Sequence, residues 1–216
     1  MRGFRLAIAV TAAAIAIPAT AYAQSGVTPL MTGPHALSGR QMEFRGYVTI
    51  EDDIDLFGVF RRGLGQQFDF GLRAGFTDAA GGGLHLGGDL RYGLARGERR
   101  EEAGVPGDEL PVGFALVAGL QLSFADLASL ISVPIGVSIG TDVGNQERSV
   151  VLYGLPFVEI DRVDPEVGSA DTELEFGVEL GGEVELTRDW IADLALVIAS
   201  HDNSNISLAL GMIYRR

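Results

Sequence analysis

From Met42 to Arg216 the chain alternates apolar residues with small or polar ones at a period of two, and that period admits strands and little else. In the clearest run Phe68, Phe70, Leu72, Ala74 and Phe76 share one parity, and Gln67, Asp69, Gly71, Arg73 and Gly75 share the other. Leu84 to Leu94 repeats the pattern, with His85, Gly87, Asp89, Arg91 and Gly93 opposite the leucines and Tyr92. Val112 to Phe124 and Ile131 to Thr141 follow, the latter with Ile or Val at five odd positions. The longest run sets Leu174, Phe176, Val178 and Leu180 against Glu173, Glu175, Gly177, Glu179, Gly181, Glu183 and Glu185. Trp190 to Ser200 and Ile206 to Tyr214 end the series, and Met42 to Ile50, Ile54 to Arg61 and Val150 to Ile160 are less regular. The expectation is an all-β chain of eight to ten strands.

What precedes the strands is different in kind. Arg2 and Arg5 lead into the uninterrupted apolar stretch Leu6 to Ile17, and Ala21-Tyr22-Ala23 supplies a small-x-small cleavage site. As a helix that core spans only about 18 Å, short of the ~30 Å of a bilayer interior, so residues 1–23 are expected to be a removable export signal rather than an anchor. Residues 24–40, with Pro29, Gly33 and Pro34 and no periodicity, are expected to be a flexible lead, and 41–216 the folded domain. Export delivers a chain to an oxidising compartment, yet there is no Cys to form a disulfide, so the fold must close by other means. The 29 acidic residues face 16 cations, all of them Arg, for a net charge of −13. That deficit argues against nucleic acid as a partner, since phosphates are neutralised by surplus cations.

Strands with one apolar face suit either a soluble sandwich or barrel, with that face inward, or a membrane barrel, with that face toward lipid. Three features favour lipid. The other parity is crowded with Gly (71, 75, 87, 93, 113, 119, 136, 140, 177 and 181), which weakens a solvated strand but fits a narrow interior. Phe68 and Phe76, Phe114 and Phe124, and Trp190 and Tyr214 sit at strand ends on the apolar parity, where an interfacial aromatic girdle belongs. The export signal and the absence of Cys agree with both. Membrane helices fit less well: Pro111 to Thr141 carries one charge, Asp126, but its uncharged halves are short and alternate with Gly.

With these features the mature chain resembles the small outer-membrane β-barrel proteins of Gram-negative bacteria, the OmpA-type, porin-like superfamily. The resemblance covers Met42 to Arg216 and rests on pattern. It implies a closed, antiparallel, up-and-down transmembrane barrel in the outer membrane, contact with outer-membrane lipids and lipopolysaccharide, and delivery by the barrel-assembly machinery. One departure stands out: such chains usually end on an aromatic residue, whereas Arg215 and Arg216 follow Tyr214. With both termini periplasmic, Thr187 to Asp189 falls on the periplasmic side and Asp161 to Asp171 outside, but Ala95 to Leu110 becomes an unusually long periplasmic connection.

The inward parity nominates Arg45, Asp69, Arg73, His85, Asp89, Arg91, Glu173, Glu175, Glu179 and Asp193 as charged lumen residues. Charges in a narrow interior must pair or be hydrated, so the arginines are expected to meet carboxylates. A barrel of eight to ten strands is nearly filled by its own side chains, which excludes a wide porin channel. The expectation is a non-enzymatic barrel with a structural or surface-interaction role and a narrow polar lumen. A small cation-preferring or small-solute channel is the alternative raised by the Glu173 to Glu185 strand. A lipid A-modifying hydrolase is raised by His201, Asp202 and Ser204. In the lipid A deacylases the serine follows the histidine by two residues, a position held here by Asn203, and Asp202 to Asn205 reads as a hairpin turn. A soluble periplasmic ligand-binding barrel is the class-level alternative. No cofactor is expected. Three His without metal-ligand spacing do not suggest zinc, and Gly81 to Gly83 lacks the context of a phosphate loop.

Overall fold

The computed structural model describes residues 29–51, 54–77, 83–95, 112–125, 128–144, 148–165, 169–200 and 206–216. Ten strands follow one another: β1 (Met42–Ile50), β2 (Ile54–Gly63), β3 (Phe68–Thr77), β4 (Gly83–Ala95), β5 (Gly113–Ala125), β6 (Ala128–Asp142), β7 (Val150–Pro165), β8 (Asp171–Glu185), β9 (Trp190–Ala199) and β10 (Ile206–Arg215). Each pairs antiparallel with its neighbours in sequence, and β1 pairs with β10, so the sheet is a closed up-and-down barrel. Closure leaves no sheet edge, which is how a chain without disulfides satisfies its backbone in a medium without water. Among the described residues there is no helix.

The seam between β1 and β10 explains the two final arginines. Arg216 continues the ladder, exchanging backbone hydrogen bonds with Met42 at 2.9 and 3.0 Å. Arg215 lies opposite Glu43 and donates to its carboxylate from Nε at 2.7 Å. The chain therefore ends in an ion pair that fastens the last strand to the first, with Tyr214 one position earlier beside Phe44 on the outer face.

Parity sorts the side chains as membrane insertion requires. Leu72, Phe76, Leu120, Ile135, Leu180 and Leu210 are each 45 to 68% exposed on the outer surface. Arg61, Asp69, Arg91 and Glu179, pointing the other way, are at most 1% exposed. In water this arrangement would leave a continuous apolar surface on every strand while burying fourteen Asp, Glu, Arg and His side chains among the described residues, the reverse of a soluble protein. It is the arrangement of a transmembrane barrel.

Glycine and aromatics share the interior by register. Tyr47 faces Gly211, Phe57 faces Gly75, Tyr153 faces Gly181, and Phe157 faces Gly177, each across a strand boundary. A Cβ at any of the four glycines would run into the ring lying over it. The glycine-rich parity is thus the space into which large inward rings lie down.

Described residues from Pro29 onward precede β1 and lie inside the barrel. Pro29 to Pro34 and Leu37 are buried, and Gln41, at the rim, accepts a backbone bond from Gly63 at 3.1 Å. From that rim the segment runs back toward mid-height, where Leu30 enters one apolar cluster with Val117, Leu155, Phe157 and Val197. Met31 enters another with Tyr47, Phe57, Val59 and Ala195. Residues 1–28, including the expected signal, lie outside the described part, as does most of the long connection between β4 and β5; Ala95, which precedes that connection, stands at the same end of the barrel as Met42 and Arg216.

Candidate functional site

The lumen is built from two walls of different chemistry. On β1 to β4 the charges pair within the wall. Arg61, on β2, bridges Asp69 on β3, at 2.5 Å, and Asp89 on β4. Arg91, beside Asp89 on β4, reaches the second oxygen of Asp69 at 2.8 Å, and Arg45 pairs with Glu43 two residues away on β1. Alternation places these groups on one face, and the antiparallel register sets Asp69 opposite Arg91. Cation and anion are then within hydrogen-bond reach in a medium that would heavily penalise either alone.

On β6 to β9 the wall is acidic and its acceptors are met by neutral donors. Glu159 takes the Ser132 hydroxyl, Glu179 takes the Tyr153 hydroxyl at 3.2 Å, and Asp193 takes the Tyr47 hydroxyl at 3.4 Å. Glu159 and Glu175 are direct cross-strand partners, as are Asp161 and Glu173. A salt link crosses toward the other wall, Arg45 to Glu183 at 3.8 Å.

Between the walls lies the segment 29–38, held by its backbone. Its carbonyls face the arginines: Arg73 donates to Pro29 O at 2.7 Å and Leu30 O at 3.1 Å, Arg45 to Met31 O at 2.7 Å, and Arg91 to Gly33 O at 2.7 Å. Its amides face carboxylates: Leu30 N and Met31 N donate to Glu179 at 2.9 and 3.2 Å, and Leu37 N donates to Asp69 at 2.7 Å. Ser138 adds a neutral bond to Thr32 O at 2.8 Å. Met31 is held at a φ of 48°, a left-handed conformation that a non-glycine residue keeps only when its contacts impose it. The seven bonds to charged groups, at about 1.5 to 3 kcal/mol each, are comparable with fixing ten residues at about 1 to 2 kcal/mol each. Burial of Leu30, Met31 and Leu37 adds to what these bonds contribute.

Of the ten lumen candidates nominated by sequence, Arg45, Asp69, Arg73, His85, Asp89, Arg91, Glu175, Glu179 and Asp193 are buried inside, and Glu173 is exposed toward the end of β8 opposite the termini. Their pairing joins Asp69 with Arg91 directly and Asp89 with both through Arg61, whereas Arg73 meets the inserted backbone instead of a carboxylate. The expectation that each arginine would meet a carboxylate therefore fails at Arg73, because a peptide carbonyl occupies the space. Alternation alone left out Glu43, Arg61, Glu159 and Asp161, which stand on the less regular β1, β2 and β7. The signal was there in the inward parity of those strands.

The six nominated aromatics all lie on the outer parity: Phe76, Phe124 and Trp190 are exposed, and Phe68, Phe114 and Tyr214 half-buried among neighbours. At the terminal end Trp190 packs on Tyr214 at 5.2 Å, and Phe44 on Phe60 at 5.2 Å, with Phe60 next to Phe70 at 6.3 Å. Sequence reading missed Phe44, Phe60 and Phe70 in this belt. The rim residues His201, Asp202 and Ser204 lie outside the described residues. Inside, His85 Nδ1 lies 2.8 Å from Ser123 Oγ, but Nε2 has no hydrogen-bond partner, so no third group orients the ring as nucleophile activation requires.

Fold and interior together define a transmembrane β-barrel with an occupied, ion-paired lumen. No protein-family model matches the chain, and no curated protein matches it in sequence. Among solved structures it is similar to the N-terminal β-barrel domain of Pseudomonas aeruginosa OprF, at 11% identity over 83% of this chain and 100% of that one, with a TM-score of 0.40. It is also similar to the KdgM porin, at 9% identity over 80% and 98% with a TM-score of 0.41. The attachment invasion locus protein Ail of Yersinia pestis gives 10% identity over 83% and 100%, with a TM-score of 0.38.

Proposed function

We propose that this chain is an outer-membrane β-barrel with a structural or surface-interaction role, its narrow polar lumen closed by its own N-terminal segment. The observation that carries this reading is the inversion of polarity: outward residues such as Phe76 and Ile135 are more than half exposed, while the Arg61, Asp69 and Arg91 network is buried. Outer-membrane lipids and lipopolysaccharide are the partners that suit such a surface, and the barrel-assembly machinery is the insertion route for a closed barrel of this kind. Cell fractionation followed by carbonate washing tests the proposal. The protein should stay with the outer membrane, and its release by carbonate would show that the apolar belt does not face lipid.

The second reading, a small cation-preferring channel, draws on Glu159, Glu175, Glu179 and Glu183, which line the same side of the lumen. Ion selectivity measured in planar bilayers tests it: a cation preference should fall when Glu175 and Glu179 are both changed to Gln. A surface role without conduction predicts no current in either form.

A further inference from the structure

We propose that residues 29–38 are a displaceable plug, and that the lumen behind it is a transversely polarised pore for small solutes carrying both charge signs. This rests on the membrane-barrel reading but goes beyond a purely structural role. Three observations carry it. The ten-strand ladder closes through β1 and β10 without the segment, so its withdrawal leaves the barrel intact. The segment is gripped at Pro29, Leu30, Met31, Gly33 and Leu37 by side chains rather than by strand pairing, and side chains can release it one at a time. Several of these grips have other partners at hand: Arg91 keeps Asp69, and Arg45 keeps Glu43 and Glu183.

The chemistry of the vacated space follows from what the plug does now. Its carbonyls point to Arg45, Arg73 and Arg91, while the amides of Leu30 and Met31 point to Glu179 and that of Leu37 to Asp69, so around Leu30 and Met31 the backbone dipoles lie across the lumen, from the wall that carries the arginines to the acidic one. Withdrawal exposes both walls at the same height. A field of that kind orients a solute with separated charges, such as an amino acid or short peptide, and the native occupant is itself a peptide.

The absence of Cys in the whole chain makes the test direct. A Cβ placed on Gly93 would lie 3.5 Å from the Cβ of Ala36, within the span of a disulfide, so Ala36→Cys with Gly93→Cys can pin the plug to β4. Current in potassium chloride is recorded across planar bilayers for the mature chain lacking 24–38, and for the double-cysteine chain oxidised and reduced. Insertion is scored separately by flotation with liposomes, so that failure to insert counts against the membrane reading and not against the plug. The shortened chain should conduct steadily, the oxidised chain should not conduct, and the reduced chain should open intermittently. Liposomes holding the shortened chain should also admit glycylglycine faster than an uncharged sugar of similar size. Conductance in the oxidised chain overturns the plug as the closing element. Absence of openings in the reduced chain overturns its displacement, whether or not the shortened chain folds, and an inserted, folded shortened chain without current overturns the pore. A sugar admitted as fast as the dipeptide overturns the proposed solute class.

Discussion

The two walls of the lumen solve the same problem in opposite ways. On β1 to β4 each buried carboxylate is tied to an arginine of the same wall: Asp69 to Arg61 and Arg91, Asp89 to Arg61, and Glu43 to Arg45, with Arg215 of β10 adding to Glu43 across the seam. On β6 to β9 the carboxylates of Glu159, Glu179 and Asp193 are met by hydroxyls, and Glu179 also by the amides of the inserted segment. The carboxylates of the first wall are neutralised by its arginines, with Arg73 as the surplus cation that holds the inserted backbone, and the ion-paired part should be rigid. The second depends on what lies in the lumen.

That contrast predicts unequal responses to the same kind of change. Arg61→Met leaves Asp89 without its cation and weakens Asp69, both at most 5% exposed, and should cost about 3 to 5 kcal/mol in urea unfolding from detergent micelles. Glu159→Gln, on the other wall, keeps an acceptor for Ser132 and removes a charge opposite Glu175, so the same experiment should show a change below about 1 kcal/mol. Equal losses at the two sites would break the comparison.

Smaller effects sharpen it further. Gly181→Val drives a side chain into the Tyr153 ring and should cost about 1 to 3 kcal/mol, whereas Gly182→Val, one residue along and facing outward, should stay within about 0.5 kcal/mol. A modest effect is expected at the grip on the segment. Glu179→Gln still accepts from Leu30 but without its charge, so a Thr32→Cys probe, buried in the intact barrel, should react with a maleimide about five times faster, corresponding to ~1 kcal/mol. An unchanged rate would mean that the acidic wall does not hold the segment.

A strand number between eight and ten, the up-and-down order and the facing of nearly every regular run were legible in the sequence because one face had to meet lipid. The strands that were harder to read are informative. β1, β2 and β7 carry apolar residues on the inward parity, and these are Tyr47, Phe57, Val59, Leu155 and Phe157, the partners of Leu30 and Met31. Their alternation is blurred because part of the lumen is an apolar socket. Residues 24–40, without period and expected to be a flexible lead, gave no hint of this: an extended backbone held by side-chain hydrogen bonds has no repeat to display. The pairing of each large inward ring with a glycine was equally hidden, since it depends on register between strands and not on order within one.

The most direct test of the central claim, that the apolar parity faces lipid and the charged parity faces a filled lumen, is a cysteine scan of β5 in liposomes. Single cysteines from Ala115 to Leu122 would each carry a fluorophore, in vesicles whose lipids bear a nitroxide quencher on the acyl chain. Labels at 116, 118, 120 and 122 should be quenched and those at 115, 117, 119 and 121 protected, in strict alternation. Quenching without alternation, or with the parities exchanged, would contradict the account.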